Sequence, residues 1–96
     1  MAEREVEVRN PSGLHARPAA AFVKAAGALG CDVKVTNLSR NSEKSASAKS
    51  VLGIMGLGIS RGHRIRLSAD GEGAEDAVTS LADLVQTGLG EELGEA

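Results

Sequence analysis

Three stretches of the chain alternate apolar and polar residues with a period of two. In residues 3–9, Val6 and Val8 share one face and Glu5, Glu7 and Arg9 the other. Residues 31–36 repeat the pattern, with Cys31, Val33 and Val35 opposed to Asp32, Lys34 and Thr36. Arg64–Ala69 sets Ile65, Leu67 and Ala69 against Arg64, Arg66 and Ser68. A period of two predicts half-buried strands, because successive side chains leave a strand on opposite faces. A sheet with one polar face is expected to be antiparallel, with its apolar face covered. Two stretches with helical spacing can supply the cover. Ala19, Phe22, Val23, Ala26 and Leu29 form one stripe over residues 16–29, and Ala74, Ala77, Val78, Leu81, Leu84 and Val85 another over residues 74–89. Asp70, Glu72, Glu75 and Asp76 cluster near the start of the second stretch, where acids complement the helix dipole. That helix is expected to end near Gly88 or Gly90, with a frayed acidic tail beyond it.

The middle of the chain carries weaker signals. Residues 37–47 are polar and turn-rich, with a short edge strand expected at residues 43–47. Residues 50–57 predict a short helix capped by Ser50 or Ser47. Most of its apolar residues (Val51, Leu52, Ile54, Met55 and Leu57) are expected to be core. The element order is then strand, helix, strand, strand, helix, strand, helix. This is an α+β arrangement: one four-stranded antiparallel sheet with three helices on its apolar face, in a single domain over residues 1–96.

Composition narrows the class. The 96 residues include 12 glycines, and Phe22 is the lone aromatic, so the apolar mass is aliphatic. Apolar runs fall short of the roughly eighteen residues a membrane helix needs, and the start of the chain is a charged alternating strand, not a signal segment. One cysteine, Cys31, is expected to be a small buried strand residue; a reducing, cytoplasmic setting follows by default. The net charge of −2 conceals an asymmetry. Residues 1–66 hold all eleven Lys and Arg against five acids, whereas residues 67–96 hold eight acids and no Lys or Arg. An anionic ligand or acidic partner should meet the first two-thirds of the chain. The acidic balance and missing aromatics argue against nucleic acid as a partner.

The chemistry concentrates at Gly13-Leu14-His15-Ala16-Arg17-Pro18-Ala19-Ala20. Pro18 suits the first turn of a helix, where a missing N–H costs little, so His15 falls about at the N-cap. The unpaired amides of a first turn and the positive end of the dipole make an anion site there. An imidazole is a nucleophile that could take a phosphoryl group at that point, with the new charge held by the backbone around Ala16, Arg17 and Pro18 and by the Arg17 guanidinium. Ser12 and Gly13 shape the turn, and Ser12 is a minor candidate for a phosphate contact. A carrier must release its cargo, so a partly exposed site is expected.

This motif, together with Lys49-Ser50-Val51-Leu52-Gly53-Ile54-Met55-Gly56-Leu57, resembles the HPr family, the histidine-containing phosphocarriers of the bacterial phosphoenolpyruvate-dependent sugar phosphotransferase system. The resemblance runs through nearly the whole chain. It implies an open-faced β-sandwich, a non-enzymatic carrier without cofactors, and a relay in which His15 accepts a phosphoryl group from phospho-enzyme I and passes it to a sugar-specific enzyme IIA. It also implies a cytoplasmic monomer with no membrane partner.

Ser50 has two readings. As a residue it is an N-cap; by the resemblance it matches the serine phosphorylated by an HPr kinase/phosphorylase in relatives of the low-GC Gram-positive type, which brings that kinase and a transcriptional regulator in as partners. A dianion at that cap would place charge in an apolar docking surface. Leu52 and Met55 are the expected exposed pair of that surface, joined by Val51, Ala20 and Lys24, with Lys49 adding positive charge. The segment before Ser50, residues 39–48, is longer than is usual in the family. Two further functions remain open: a nitrogen-branch phosphocarrier with regulatory targets, and a regulatory module acting through Ser50 alone. The Gly53–Gly58 spacing lacks the Lys-Ser/Thr that a P-loop needs. His63, expected in a loop entering a strand, has no acid or cysteine at ligand spacing, so no metal site is expected.

Overall fold

The computed structural model describes residues 2–89. Strands β1 (Ala2–Glu7), β2 (Val33–Asn37), β3 (Asn41–Ser47) and β4 (Arg64–Ala69) form one sheet in the order β1-β4-β2-β3, with every neighbouring pair antiparallel. Helices α1 (Ala16–Gly27), α2 (Val51–Gly56) and α3 (Ala74–Gln86) complete the expected order.

The alternation in the sequence sets the register. Val6 lies opposite Ile65, Leu67 opposite Val35, and Val35 opposite Ala46, so the apolar rows line up on one face. Val6, Ile65, Leu67, Val33 and Val35 are buried there against Phe22, Ala19 and Ala26 of α1 and Ala77, Val78, Leu81 and Val85 of α3. Helix α3 packs on β1 and β4, α2 packs toward β3, and α1 lies against both other helices. Phe22, wholly buried, is the largest side chain in this core. Among the described residues, no helix covers the opposite face. Glu5, Arg66, Thr36 and Ser45 form one row across it, and Glu3, Ser68, Lys34 and Ser47 the next. Arg64 of β4 reaches Glu5 at 3.9 Å, an exposed pair of little energetic weight.

Several expectations need correction. Thr36, expected outward and polar, is 7% exposed because its cross-strand neighbours Arg66 and Ser45 flank it on that face. Cys31 lies ahead of β2 and is only half-buried. The edge strand begins at Asn41, before the expected residue 43, and its pairing with β2 shifts register between Thr36, opposite Ser45, and Asn37, opposite Asn41. Of the five apolar residues in and after α2, only Ile54 and Leu57 are core, because a six-residue helix can bury one narrow stripe. The expected end of α3 near Gly88 holds: the helix runs to Gln86, Thr87 is its C-cap, and Gly88 follows with φ +95°; the acidic tail from residue 90 lies outside the described residues.

Candidate functional site

The approach to α1 is fixed by three backbone devices. Residues 10–13 close a turn in which the Gly13 N–H donates to the Asn10 carbonyl at 3.1 Å, while Asn10 Nδ2 donates back to the Gly13 carbonyl at 2.8 Å. Asn10 is fully buried, so this side chain acts as an internal clamp. Gly13 has φ +61°, and a Cβ there would run into the Ile59 carbonyl oxygen and lie 2.8 Å from the Ser60 Cα. Only glycine satisfies both the dihedral and the close approach. Leu14 then inserts its side chain into the core and donates its N–H to the Ile59 carbonyl at 3.1 Å.

His15 follows as the N-cap of α1, with extended dihedrals (φ −123°, ψ 154°). Its side chain makes no capping hydrogen bond, so the imidazole is not spent on the amides of the first turn. The residue is partly exposed. Ala16, Arg17 and Pro18 occupy the first three helical positions. Proline has no N–H, so the donors the mouth can offer an anion reduce to the amides of Ala16 and Arg17. No acidic residue sits in this first turn to neutralise the positive end of the dipole. Arg17 is exposed and Pro18 buried. Arg17, Ala20 and Lys24 all face solvent at i, i+3 and i+7, the stripe opposite the buried Ala19, Phe22 and Ala26. Ser12 is exposed in the preceding turn.

Helix α2 packs beside α1 and carries the second group of expected residues. Ser50 is its N-cap, with extended dihedrals and an Oγ that accepts from the Gly53 N–H at 3.0 Å. Beside it, Leu52 is 84% exposed, Val51 39% and Met55 38%; among the described residues these are the exposed large apolar side chains. Lys49 forms an exposed ion pair with Asp32 at 3.2 Å, of little energetic weight.

Three residues that support the site escaped the sequence reading. Asn10 carried one signal, the Asn-Pro dipeptide of a turn. Asn37 and Ile59 carried none, since their roles depend on residues far away in the chain. Asn37 is 1% exposed; its Nδ2 donates to the Leu57 carbonyl at 3.2 Å and its Oδ1 accepts from the Ser39 N–H at 3.1 Å. Ile59 is fully buried in the connection between α2 and β4. That connection also contains Gly58, with φ +64°, against which the Arg40 guanidinium lies so closely that a Cβ would overlap it.

Taken together, these elements form a small α+β sandwich that presents an imidazole, free of capping duty, at the positive end of a helix. Comparisons with known proteins agree with that description. Residues 2–87 match the family model for the phosphotransferase-system HPr component phosphorylation site. The chain is similar to the phosphocarrier protein HPr of Streptomyces coelicolor, 47% identical over 95 residues that cover 99% of this chain and 98% of that protein. It is also similar to the multiphosphoryl transfer protein of Salmonella typhimurium, 40% identical over 87 residues, where it spans 91% of itself but only 23% of the relative. Among solved structures, HPr-C-His from Thermoanaerobacter tengcongensis superposes with a TM-score of 0.86 at 42% identity, covering 96% of this chain and 99% of that one. The chain belongs to the HPr family of the phosphotransferase system. The matched family model describes a phosphorylation site, and the relative matched over its full length is named a phosphocarrier protein. No helix among the described residues is long and apolar enough to cross a membrane.

Proposed function

We propose that His15 accepts a phosphoryl group from phospho-enzyme I and hands it to a sugar-specific enzyme IIA in phosphoenolpyruvate-dependent sugar uptake. The lone pair of one imidazole nitrogen attacks phosphorus, a P–N bond forms, and the bond from phosphorus to the donor breaks with its electron pair returning to the donor. The second transfer repeats this step with His15 as the leaving group. Each phosphoryl group brings up to two negative charges to the mouth of α1, where the Ala16 and Arg17 amides and the Arg17 guanidinium stabilise them. The observation that carries the reading is the position of His15 as an N-cap whose side chain makes no capping hydrogen bond, in a first turn without carboxylates. Incubation with phosphoenolpyruvate and enzyme I should give an acid-labile, base-stable phosphoprotein, and His15→Ala should give none. Label on the His15→Ala protein would overturn the assignment.

The partner surface in this reading is the exposed strip of Arg17, Ala20 and Lys24 with Val51, Leu52 and Met55 of α2. Such a mixed patch suits transient complexes. Lys49 adds positive charge to its edge. A regulatory layer at Ser50 is a second reading, favoured by the exposure of this N-cap beside those apolar residues. Phosphorylation there by an HPr kinase/phosphorylase would put a dianion where α2 tolerates it and where an acidic partner would be repelled. Kinase labelling of the wild type but not of Ser50→Ala would support it, and equal labelling of both would refute it.

A further inference from the structure

We propose that His63 is a positioning residue for phosphoryl transfer at His15, acting through the single peptide unit that joins Ile59 to Ser60. The inference rests on the phosphocarrier reading above. Two donors converge on His63 Nδ1: the backbone N–H of Ser60 at 3.1 Å and Asn37 Nδ2 at 3.1 Å. The Asn37 amide has its orientation fixed independently, since Oδ1 accepts from Ser39 N–H and Nδ2 donates to the Leu57 carbonyl. Its remaining N–H therefore faces His63. Nδ1 must then carry the lone pair, and the ring proton sits on Nε2.

The Ser60 N–H and the Ile59 carbonyl belong to one planar group and point in opposite directions. His63 takes the N–H edge; Leu14 donates to the carbonyl edge at 3.1 Å. The imidazole of His63 thus sets the plane of a rigid plate whose far edge holds the backbone of the residue before His15. Gly13 rests on the same plate, with no room for a Cβ against Ile59 and Ser60. The β4 end of the loop is anchored by Gly62 N–H to the Val8 carbonyl at 2.7 Å and Val8 N–H to the His63 carbonyl at 2.8 Å. Rotation of the 59–60 peptide would break both the Ser60 and the Leu14 hydrogen bonds and release the N-cap of α1.

The test compares His63→Ala, His63→Asn and His63→Gln with the wild type. Asparagine puts an acceptor oxygen close to the position of Nδ1; glutamine carries its oxygen too far along the side chain. His63→Ala and His63→Gln should slow phosphoryl transfer from enzyme I to His15 by about tenfold, as expected when a nucleophile loses its alignment. They should also speed hydrogen exchange at the Leu14 amide, and His63→Asn should restore both. In the wild type, nitrogen NMR should find His63 protonated at Nε2 and bare at Nδ1. Transfer at the wild-type rate in His63→Ala, no rescue by asparagine, or a proton on Nδ1 would each overturn the proposal. The NMR measurement decides even where a variant fails to fold. Should the wild type itself take no phosphoryl group from enzyme I, the phosphocarrier reading falls, and with it the role of His63 in transfer; Leu14 exchange would still show whether His63 holds the loop.

Discussion

Leu14 and His63, with α1, β2, β3 and α2 between them in the chain, hold opposite edges of the same peptide bond. The candidate acceptor therefore depends on a loop-to-loop contact beyond the end of the sheet. Its position answers to the 57–63 connection as much as to the helix it caps.

Gly13→Ala is expected to be among the most damaging small substitutions in the chain. It forces a β-carbon into φ +61° and against the Ile59 backbone, which has no flexible end to give way. The cost should be about 1–3 kcal/mol, read as a lower urea midpoint with an unchanged m-value. An unchanged midpoint would mean that the turn can relax.

Arg17→Lys should leave stability within about 0.5 kcal/mol of the wild type, because the side chain is exposed. The phosphorylated state should suffer more, since the planar fork is replaced by a point charge. A loss of about tenfold in transfer rate, equivalent to roughly 1.4 kcal/mol, is expected from enzyme I kinetics. Equal rates would remove Arg17 from the phosphate clamp.

Ser50→Ala deletes the acceptor for the Gly53 N–H. The expected loss is about 1 kcal/mol, or a fall of about 4–8 °C in Tm, with His15 phosphorylation little changed. Ser50→Asp should recover most of the stability because a carboxylate also caps. A melting temperature that does not move would show that α2 is held by packing alone.

Leu52→Gln should separate docking from folding. With 84% of the residue in solvent, stability should change by no more than about 0.5 kcal/mol. The KM for phosphorylation by enzyme I should rise severalfold while the maximal rate holds. No change in KM would place the partner surface elsewhere.

Much of this architecture could be read from local pattern. Arg64–Ala69 emerged with the expected bounds, α3 began at Ala74, and His15 fell at the N-cap, because alternation, acidic first turns and a proline near a helix start act over a few residues. What stayed hidden was decided at long range. The burial of Asn37 depends on Leu57 and His63, twenty and twenty-six residues away. Thr36 follows the polar parity of its strand, yet its neighbours from two other strands close over it. The exposure of Val51 and Met55 reflects how little of a six-residue helix the rest of the fold can cover.

The bare side of the sheet shapes how this molecule meets others. Columns of Glu3, Glu5 and Glu7 on β1, then Arg64 and Arg66 on β4, then Lys34 on β2 set acids beside bases across it. Another molecule gains little by resting there, since well-hydrated ions would have to shed water for no net attraction. Collisions from that direction should end quickly, while those arriving at the helix end meet Leu52 and its neighbours beside the imidazole. Under the proposed reading, that polar face gives a partner little to hold, and the helix end with Leu52 is where productive encounters are expected.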